Sequence, residues 1–272
     1  MKIITRIFCL ICLSFCFQDL SAQEAATFKQ EEIGLHINWR MTQFKDTRLS
    51  ARKFQAGAWA FGTIYRKETD KKREALIFTY SSAVTQDPKG LLRIKLISPQ
   101  VQYSHQRKVG NLWLGGFIDS YSLLKFPQAP AGIFNNNPIS YTITKSIGPM
   151  ISSDFSLRET EDSRIFAVPS LQMGLLNYAI RPAYGHPYPD EYLTEEHFSP
   201  TRRGMAGPLL RSGKLKLPHK YQMIRFSLGL FYQIRSRYKI GLNYEFYFQR
   251  DGGIHSSHTV NHDLGLSATY LY

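Results

Sequence analysis

Apolar and polar side chains alternate with a period of two through the C-terminal third of the chain. In residues 238–249 one face is aromatic and aliphatic, whereas the other carries Lys239, Glu245 and further polar side chains. The same alternation recurs in residues 223–235 and, near the N-terminus, in residues 33–42. A period of two is the repeat of a β-strand whose two faces meet different surroundings. The pattern therefore predicts long strands with one apolar face.

We predict ten strands of this kind. Many run to twelve or more residues, whereas strands of globular proteins average about five or six. The connections alternate between short turns and mostly longer loops. The predicted strands lie near 31–44, 54–67, 74–86, 91–107, 109–124, 139–158, 164–179, 221–235, 237–250 and 258–272. A count of twelve is the alternative, and it needs a further strand within 205–217.

Two prolines fall inside these strand-like runs. Because proline cannot donate to the hydrogen-bond ladder, we expect a β-bulge at Pro99 and another at Pro169. Around Pro99 the apolar positions change from even to odd numbers. The pattern therefore predicts a reversal of the two faces at Pro99, with Arg93 and Lys95 pointing inward.

The first residues have the layout of a secretory signal. Basic residues precede an apolar core over 7–17, and the segment ends in small residues at Ala22. The core is too short to span a bilayer, and the order of the three parts is that of an export signal. We expect a signal peptide over 1–22, cleaved near Ala22, and one β-barrel domain over 23–272. All three cysteines lie within the signal, so the mature chain has no thiol.

An exported chain built of long alternating strands resembles the integral outer-membrane β-barrel proteins of Gram-negative bacteria. The chain also ends on its last strand, at an aromatic residue, Tyr272. The resemblance implies an all-β fold, a transmembrane antiparallel up-and-down barrel with an even number of strands. It also implies contact with outer-membrane lipid and with the machinery that inserts barrels. Short turns and both chain ends then lie in the periplasm, and the longer loops lie outside.

The charge of the chain limits its partners. The formal net charge of +13 falls to +12 when the signal is removed, and such a basic balance favours an anionic partner. An exported chain does not meet nucleic acid, so lipid is the expected partner. No glycine-rich phosphate loop, nucleophile elbow or zinc pattern occurs, and we expect no cofactor and no metal site.

A barrel of ten strands has a lumen that its own side chains largely fill. Charged residues on the predicted inner faces form either an internal plug of salt bridges or the lining of a narrow, anion-preferring passage. We favour the plug because of the small diameter. The predicted lumen-lining residues are Arg40, Arg93, Lys95, Arg225, Arg235, Lys239, Glu245 and Asp263.

One cluster near the last strand offers weak candidates for catalysis, His255, Ser257 and His258. A histidine two residues before a serine resembles outer-membrane lipid hydrolases, in which a histidine base activates the serine. Their motif continues with asparagine, whereas here Ser257 is followed by His258. Because the asparagine of that motif is missing here, we treat catalysis only as the alternative hypothesis.

Residues 180–220 form the longest predicted connection, rich in proline and tyrosine. Connections of this length are functional or disordered as a rule. We interpret the segment as an external loop that binds a surface partner through its tyrosines. A metal site at His186, Asp190 and His197, an acid pair for hydrolysis and a merely solvated loop are alternatives. No His-Glu-x-x-His spacing supports the metal site.

The sequence therefore leads to a non-enzymatic outer-membrane barrel that displays surface loops, with at most a narrow solute passage. A hydrolase of lipid or peptide, with its site at the barrel rim, is the second hypothesis. A soluble periplasmic β-protein is the third.

Overall fold

A computed structural model describes residues 28–47, 50–86, 93–128, 140–181, 213–234, 237–252 and 256–272. Several sequence predictions lie outside these ranges. They are the signal peptide over 1–22, Arg235, His255 and most of the segment 180–220.

The described residues form β-strands joined by turns. The strands are β1 Phe28–Asp46, β2 Ser50–Thr69, β3 Lys72–Gln86, β4 Arg93–Val109, β5 Leu112–Gln128, β6 Ser140–Ser153, β7 Phe155–Glu159, β8 Ser163–Met173, β9 Leu176–Ile180, β10 Lys214–Lys216, β11 Tyr221–Ile234, β12 Tyr238–Asp251 and β13 Ser257–Leu271. No helix of the described part is long and apolar enough to cross a membrane.

The sheet closes on itself. Consecutive strands pair antiparallel from β1 through to β6, and again from β11 through to β13. β13 in turn pairs with β1. Closure is completed by β8, which pairs with β11 on one side and with β6 on the other. β7 continues the wall strand of β6, and β9 continues that of β8. The wall therefore has ten strands, which confirms the predicted antiparallel up-and-down barrel.

The connections lie at two ends of the barrel. The strand ends that flank the short links 70–71, 110–111, 160–162 and 235–237 lie at one end, here called the turn end. The strand ends that flank 47–49, 87–92, 129–139, 181–213 and 252–256 lie at the other, the loop end. Gly110 has a φ of 61°, a left-handed conformation that favours glycine in a tight turn. Glu31 and Tyr272 exchange backbone hydrogen bonds of 3.0 Å, so β1 begins where β13 ends, at the turn end.

Neither proline forms the expected bulge, and both expectations are wrong. At Pro99 the register of β4 with β3 runs on unbroken, and the β4–β5 ladder opens locally without a shift. Pro169 pairs with Leu228 of β11 in continuous register, and on its other side β6 gives way to β7. The missing N–H of Pro169 thus falls at a break in the neighbouring strand, where no ladder partner is needed.

β10 is short and pairs with β9. Within the described residues it adds no strand to the wall, so the alternative of twelve strands is wrong for this part of the chain. β10 instead precedes β11 at the loop end and lies beside β9, whose other side pairs with β6.

Candidate functional site

The loop-side half of the interior is filled by buried rings and aliphatic side chains, here called the aromatic plug. Phe44 and Phe54 face inward from opposite positions of β1 and β2, with ring centroids 5.1 Å apart. Tyr121 and Tyr247 meet across the lumen at 5.0 Å. The members of the plug are Phe44, Phe54, Ala56, Ile94, Leu96, Phe117, Tyr121, Leu123, Ala179, Tyr221, Met223 and Tyr247, of which Phe117 lies past Asp119 toward the turn end of β5. Rings packed at these distances leave little room for a solute.

Below the plug, two buried arginines are paired with carboxylates. Arg40 lies directly opposite Asp263 on β13 and donates to both its oxygens, at 2.8 and 2.6 Å. Arg225 on β11 reaches across the lumen to Asp119 on β5, at 2.9 Å, and also contacts Glu245 at 3.3 Å. These arginines are buried, and bidentate or multiple contacts are what a buried charge requires.

On the turn side of these pairs the lumen widens into a cavity of about 170 Å³. Serine, threonine, glutamine and charged side chains dominate its lining, among them Arg40 and His36. Nη1 of Arg40 and Nδ1 of His36 have no hydrogen-bond partner within the described residues. A cavity of this size and polarity can hold several water molecules that satisfy such groups. The turn-side half of the lumen is therefore suited to water or small polar solutes.

At the loop end, buried ion pairs join the chain on both sides of the segment 182–212. Asp46 accepts from Lys125 Nζ at 2.7 Å and from Arg181 Nη2 at 2.7 Å. Asp251 accepts from Arg181 Nη1 at 3.3 Å and from Lys216 Nζ at 2.7 Å. These five residues, here called the rim clamp, fix both ends of that segment to the barrel wall.

At the turn end, Glu32 is paired with Lys239 and with Arg66, the latter at 3.0 Å. A third basic residue, Arg73, binds Asp154 at 2.5 Å and stacks over the ring of Trp113 at 4.2 Å. These contacts place charged side chains around the turn-side end of the cavity.

Asp154 lies outside the strands, in the break between β6 and β7. Burial raises the pKa of its carboxyl, but hydrogen bonds and positive charge from Arg73 outweigh that effect. The N–H of Trp113 donates to the same carboxyl, and the net pKa of Asp154 is lowered. The carboxylate is therefore the form that this site stabilises.

The outer wall between the two ends is apolar. On β11 to β13 the side chains predicted to face outward are exposed or half-exposed, while those between them are largely buried in the lumen. The same exposed apolar surface continues over β1 and β2, where Trp39 and Trp59 face outward. We call this surface the apolar belt. A closed barrel with an apolar outside and a polar or plugged inside, and with an even number of strands, is built to cross a bilayer.

The chain has the fold of an outer-membrane β-barrel. This assignment follows from the strand pairing, the closure and the apolar belt of the chain itself. No protein-family model and no curated protein matches the sequence.

Three solved structures illustrate what the barrel is similar to. The translocator domain of the autotransporter NalP from Neisseria meningitidis has 7% identity and a TM-score of 0.48, over 99% of this chain and 95% of that one. The outer-membrane protease OmpT from Escherichia coli has 7% identity and a TM-score of 0.49, over 92% and 100%. Ail, the attachment invasion locus protein of Yersinia pestis, has 11% identity and a TM-score of 0.26, over 90% and 100%. Likenesses this distant assign no function to the barrel.

The predicted lumen-lining residues divide into two groups. Those that the structure places at the interior cavity are Arg40, Arg225, Lys239, Glu245 and Asp263. Arg93 and Lys95 are exposed on the outer face, and Ile94 and Leu96 between them are buried in the plug. The prediction for Arg93 and Lys95 is wrong because the faces of β4 do not reverse at Pro99. Arg235 lies outside the described residues.

The candidates for catalysis do not come together. Ser257 is buried on the lumen side of β13, and His258, the next residue, faces outward. Consecutive residues of a strand point to opposite faces, so this pair cannot act as nucleophile and base. His255 lies outside the described residues. Among the residues that the structure does describe, no group of three metal-ligating side chains occurs.

Sequence reasoning missed several interior charges. Asp119 and Lys125 on β5 are buried, as are Asp46 and Asp251 at the loop end. On β5 the inward positions mix these charges with Tyr121 and Leu123, which hides the alternation. A signal was present: Asp119 and Lys125 share odd numbering with the inward Tyr121, as the faces of one strand require.

Proposed function

We propose that the protein is a non-conducting barrel of the outer membrane, whose role is to hold the segment between Arg181 and Gly213 at the outer surface. The aromatic plug is the observation that carries this proposal. It occupies the loop-side half of the lumen, and the Arg40–Asp263 and Arg225–Asp119 pairs lie directly beneath it. A solute crossing the barrel has to displace both layers, and breaking a buried ion pair is costly.

The rim clamp supports the second half of the proposal. Arg181 and Lys216 lie on either side of the segment, and both bind Asp251. Such buried ion pairs have a fixed geometry, because each partner lacks water as an alternative. The barrel thus supplies a rigid base for residues 182–212, which is what a scaffold for a partner-binding loop requires. We include in this proposal a surface partner that binds to residues 180–220.

A planar-bilayer recording on the refolded protein tests the closed lumen. We expect a resistance indistinguishable from that of the empty bilayer, because the plug excludes hydrated ions. Insertion is checked independently in the same preparation, by heat-modifiable electrophoretic mobility and by retention in the membrane after a carbonate wash. Discrete conductance steps from inserted protein favour the narrow passage and overturn the closed lumen. Loss of protein in the carbonate wash overturns the membrane location.

A replacement of residues 182–212 by a short glycine-serine linker tests the scaffold role. We expect the shortened protein to retain its heat-modifiable mobility, because the wall strands and the plug lie outside the replaced residues. Failure of the shortened protein to form a heat-modifiable barrel means that the segment belongs to the barrel's own structure. That result contradicts its role as a displayed loop.

The hydrolase alternative is not part of the proposal. Ser257 is enclosed by the lumen and His258 lies on the opposite face of β13, while His255 lies outside the described residues.

A further inference from the structure

Four basic side chains form a row across four neighbouring strands on the outer wall. Lys45 of β1 lies directly opposite Lys53 of β2 on one side and His258 of β13 on the other. His258 in turn lies opposite Arg250 of β12. All four are exposed or half-exposed, and they belong to the outward face of their strands. We call them the cationic row.

Such an arrangement is unfavourable for an isolated protein. Like charges directly opposite each other on neighbouring strands repel and destabilise the pairing. No ion pair or hydrogen bond to these four side chains is found within the described residues. The charged groups that act on His258 are Lys53, Lys45 and Arg250, all of them basic. As far as the described residues go, the positive charge of the row on the outer wall is therefore unmatched.

Acidic residues elsewhere do not relieve this charge. At the loop end, the described acids Asp46 and Asp251 face the lumen and are used by the rim clamp. Exposed and half-exposed acids cluster at the turn end. They are Glu31, Glu68, Asp70, Glu74, Asp154, Glu159, Glu161 and Asp162. Counter-charge for the cationic row thus has to come from outside the described chain.

Below Lys45 and Lys53 the outward positions first hold a polar pair, Gln43 on β1 opposite Gln55 on β2, and the apolar belt begins beyond that pair. Met41 and Trp39 follow on β1 toward the turn end, and Trp59 follows on β2. Trp39 and Trp59 are 43% and 54% exposed, and their rings contact each other edge to face at 5.3 Å. Positive charges near the rim, with an exposed apolar surface further down the same strands, match a molecule with an anionic head and hydrocarbon chains.

We propose that the cationic row binds the anionic, phosphate-bearing headgroup of a lipid in the outer leaflet, with the acyl chains on Trp39 and Trp59. This inference rests on the proposed location in the outer membrane and adds a specific lipid site to it. Lys45, Lys53 and Arg250 supply three permanent positive charges. Lysine and arginine at a membrane surface each attract anionic lipid by about 1 kcal/mol, which is a factor of about five.

The tryptophans offer a direct test, since Trp39 and Trp59 lie under the row while Trp113, 2% exposed, is inside the barrel. The full mature chain is refolded into phosphatidylcholine vesicles that contain a minor fraction of lipid with brominated chains. That lipid is either phosphatidic acid or phosphatidylcholine, at the same fraction. Bromine quenches indole fluorescence at short range, so the ratio of quenching by the two lipids reports local enrichment. We expect phosphatidic acid to be enriched about five-fold or more.

Two triple variants separate the row from the general charge of the protein. Lys45→Gln/Lys53→Gln/Arg250→Gln removes the row, and we expect the enrichment to fall to about one. Arg93→Gln/Lys95→Gln/Lys145→Gln removes three exposed basic side chains on β4 and β6, and we expect it to keep the enrichment. Heat-modifiable mobility shows that each variant has folded.

Equal quenching by the two lipids in the unaltered protein overturns the lipid site, and so does an equal loss in both variants. Absence of quenching by either lipid contradicts membrane insertion, and with it both proposals. Enrichment that only the row variant abolishes supports the site.

Discussion

The two halves of the barrel interior are built from different chemistry on the same wall strands. The loop-side half is packed with rings and aliphatic side chains, of which Phe44, Phe54 and Ile94 are almost fully buried. The turn-side half is lined by polar and charged side chains and keeps a cavity of about 170 Å³. Arg40 and Arg225 lie between them. The side chains that fill the lumen are thus concentrated in the loop-side half and in the layer of ion pairs below it.

An inward position in this barrel is therefore defined by geometry and not by polarity. On β1 the inward series runs from Glu32 through His36 and Arg40 to Phe44, all buried. Only the alternation of faces is constant along this strand. We therefore expect substitutions at inward positions to be costly in both halves, but for different physical reasons.

The largest effect is expected from Arg225→Met, which removes the cation between the two halves. Asp119, fully buried, then loses its ion pair, and breaking one partner of a buried pair costs about 3–5 kcal/mol. The free energy of unfolding in urea, measured in lipid vesicles, provides the test. The double variant Arg225→Met/Asp119→Leu removes both charges, and we expect it to be more stable than the single variant. A single variant as stable as the unaltered protein contradicts the energetic role of the pair.

The next largest effect is expected from Ile94→Ala in the aromatic plug. Ile94 is 0% exposed, and deleting a fully buried isoleucine side chain costs about 2–5 kcal/mol because a cavity remains. Ile118→Ala is the matched control, since Ile118 is 49% exposed on the outer wall. Lipid can fill the space left there, so we expect a smaller loss in the same urea titration. Equal losses at the two positions argue against a packed plug.

The contrast between the buried Ile94 and the exposed Ile118 also explains which strand faces could be predicted from the sequence. Alternation gave the faces of β11, β12 and β13 correctly, because most inward positions there are polar or small, as Arg225 and Asp263 show. It failed on β4, where Ile94 and Leu96 are inward and Arg93 and Lys95 are outward near the loop end. A rule that assigns apolar side chains to lipid inverts wherever the lumen is itself apolar.

The contacts between interior side chains could not be predicted from the sequence, for a different reason. Arg225 and Asp119 are 106 residues apart in the chain and meet across the lumen, between strands that are not neighbours in the wall. Alternation states which face each residue occupies, but not its height or its opposite partner. The alternation predicted ten strands, but it did not predict that one wall strand is interrupted at Asp154. β7 continues past the turn end of β5 and pairs, among the described strands, only with β8, and the alternation does not reveal this.

A smaller effect is expected from Asp251→Asn in the rim clamp. The substitution removes the charge that Arg181 and Lys216 share, while Arg181 keeps its contact with Asp46. Hydrogen bonds to charged groups contribute about 1.5–3 kcal/mol each, so we expect a local loosening rather than unfolding. Hydrogen exchange at the backbone amides of β10 checks this, and they should exchange faster. The exposed turn variant Glu161→Gln should leave those rates unchanged; an equal acceleration in both variants rules out a local clamp.

The smallest effect is expected at the turn end, from the carboxyl of Asp154. Its pKa in the folded protein is lowered, so the carboxylate stabilises the fold above its ordinary pKa and loses this contribution as the pH falls through the lowered value. The pair with Arg73 is partly exposed, and we expect about 1 kcal/mol at neutral pH. The free energy of unfolding of Asp154→Asn should therefore lie below that of the unaltered protein at pH 7 and converge with it under acid conditions. A difference that persists unchanged into acid shows that packing, and not the charge of Asp154, supports the turn-side opening.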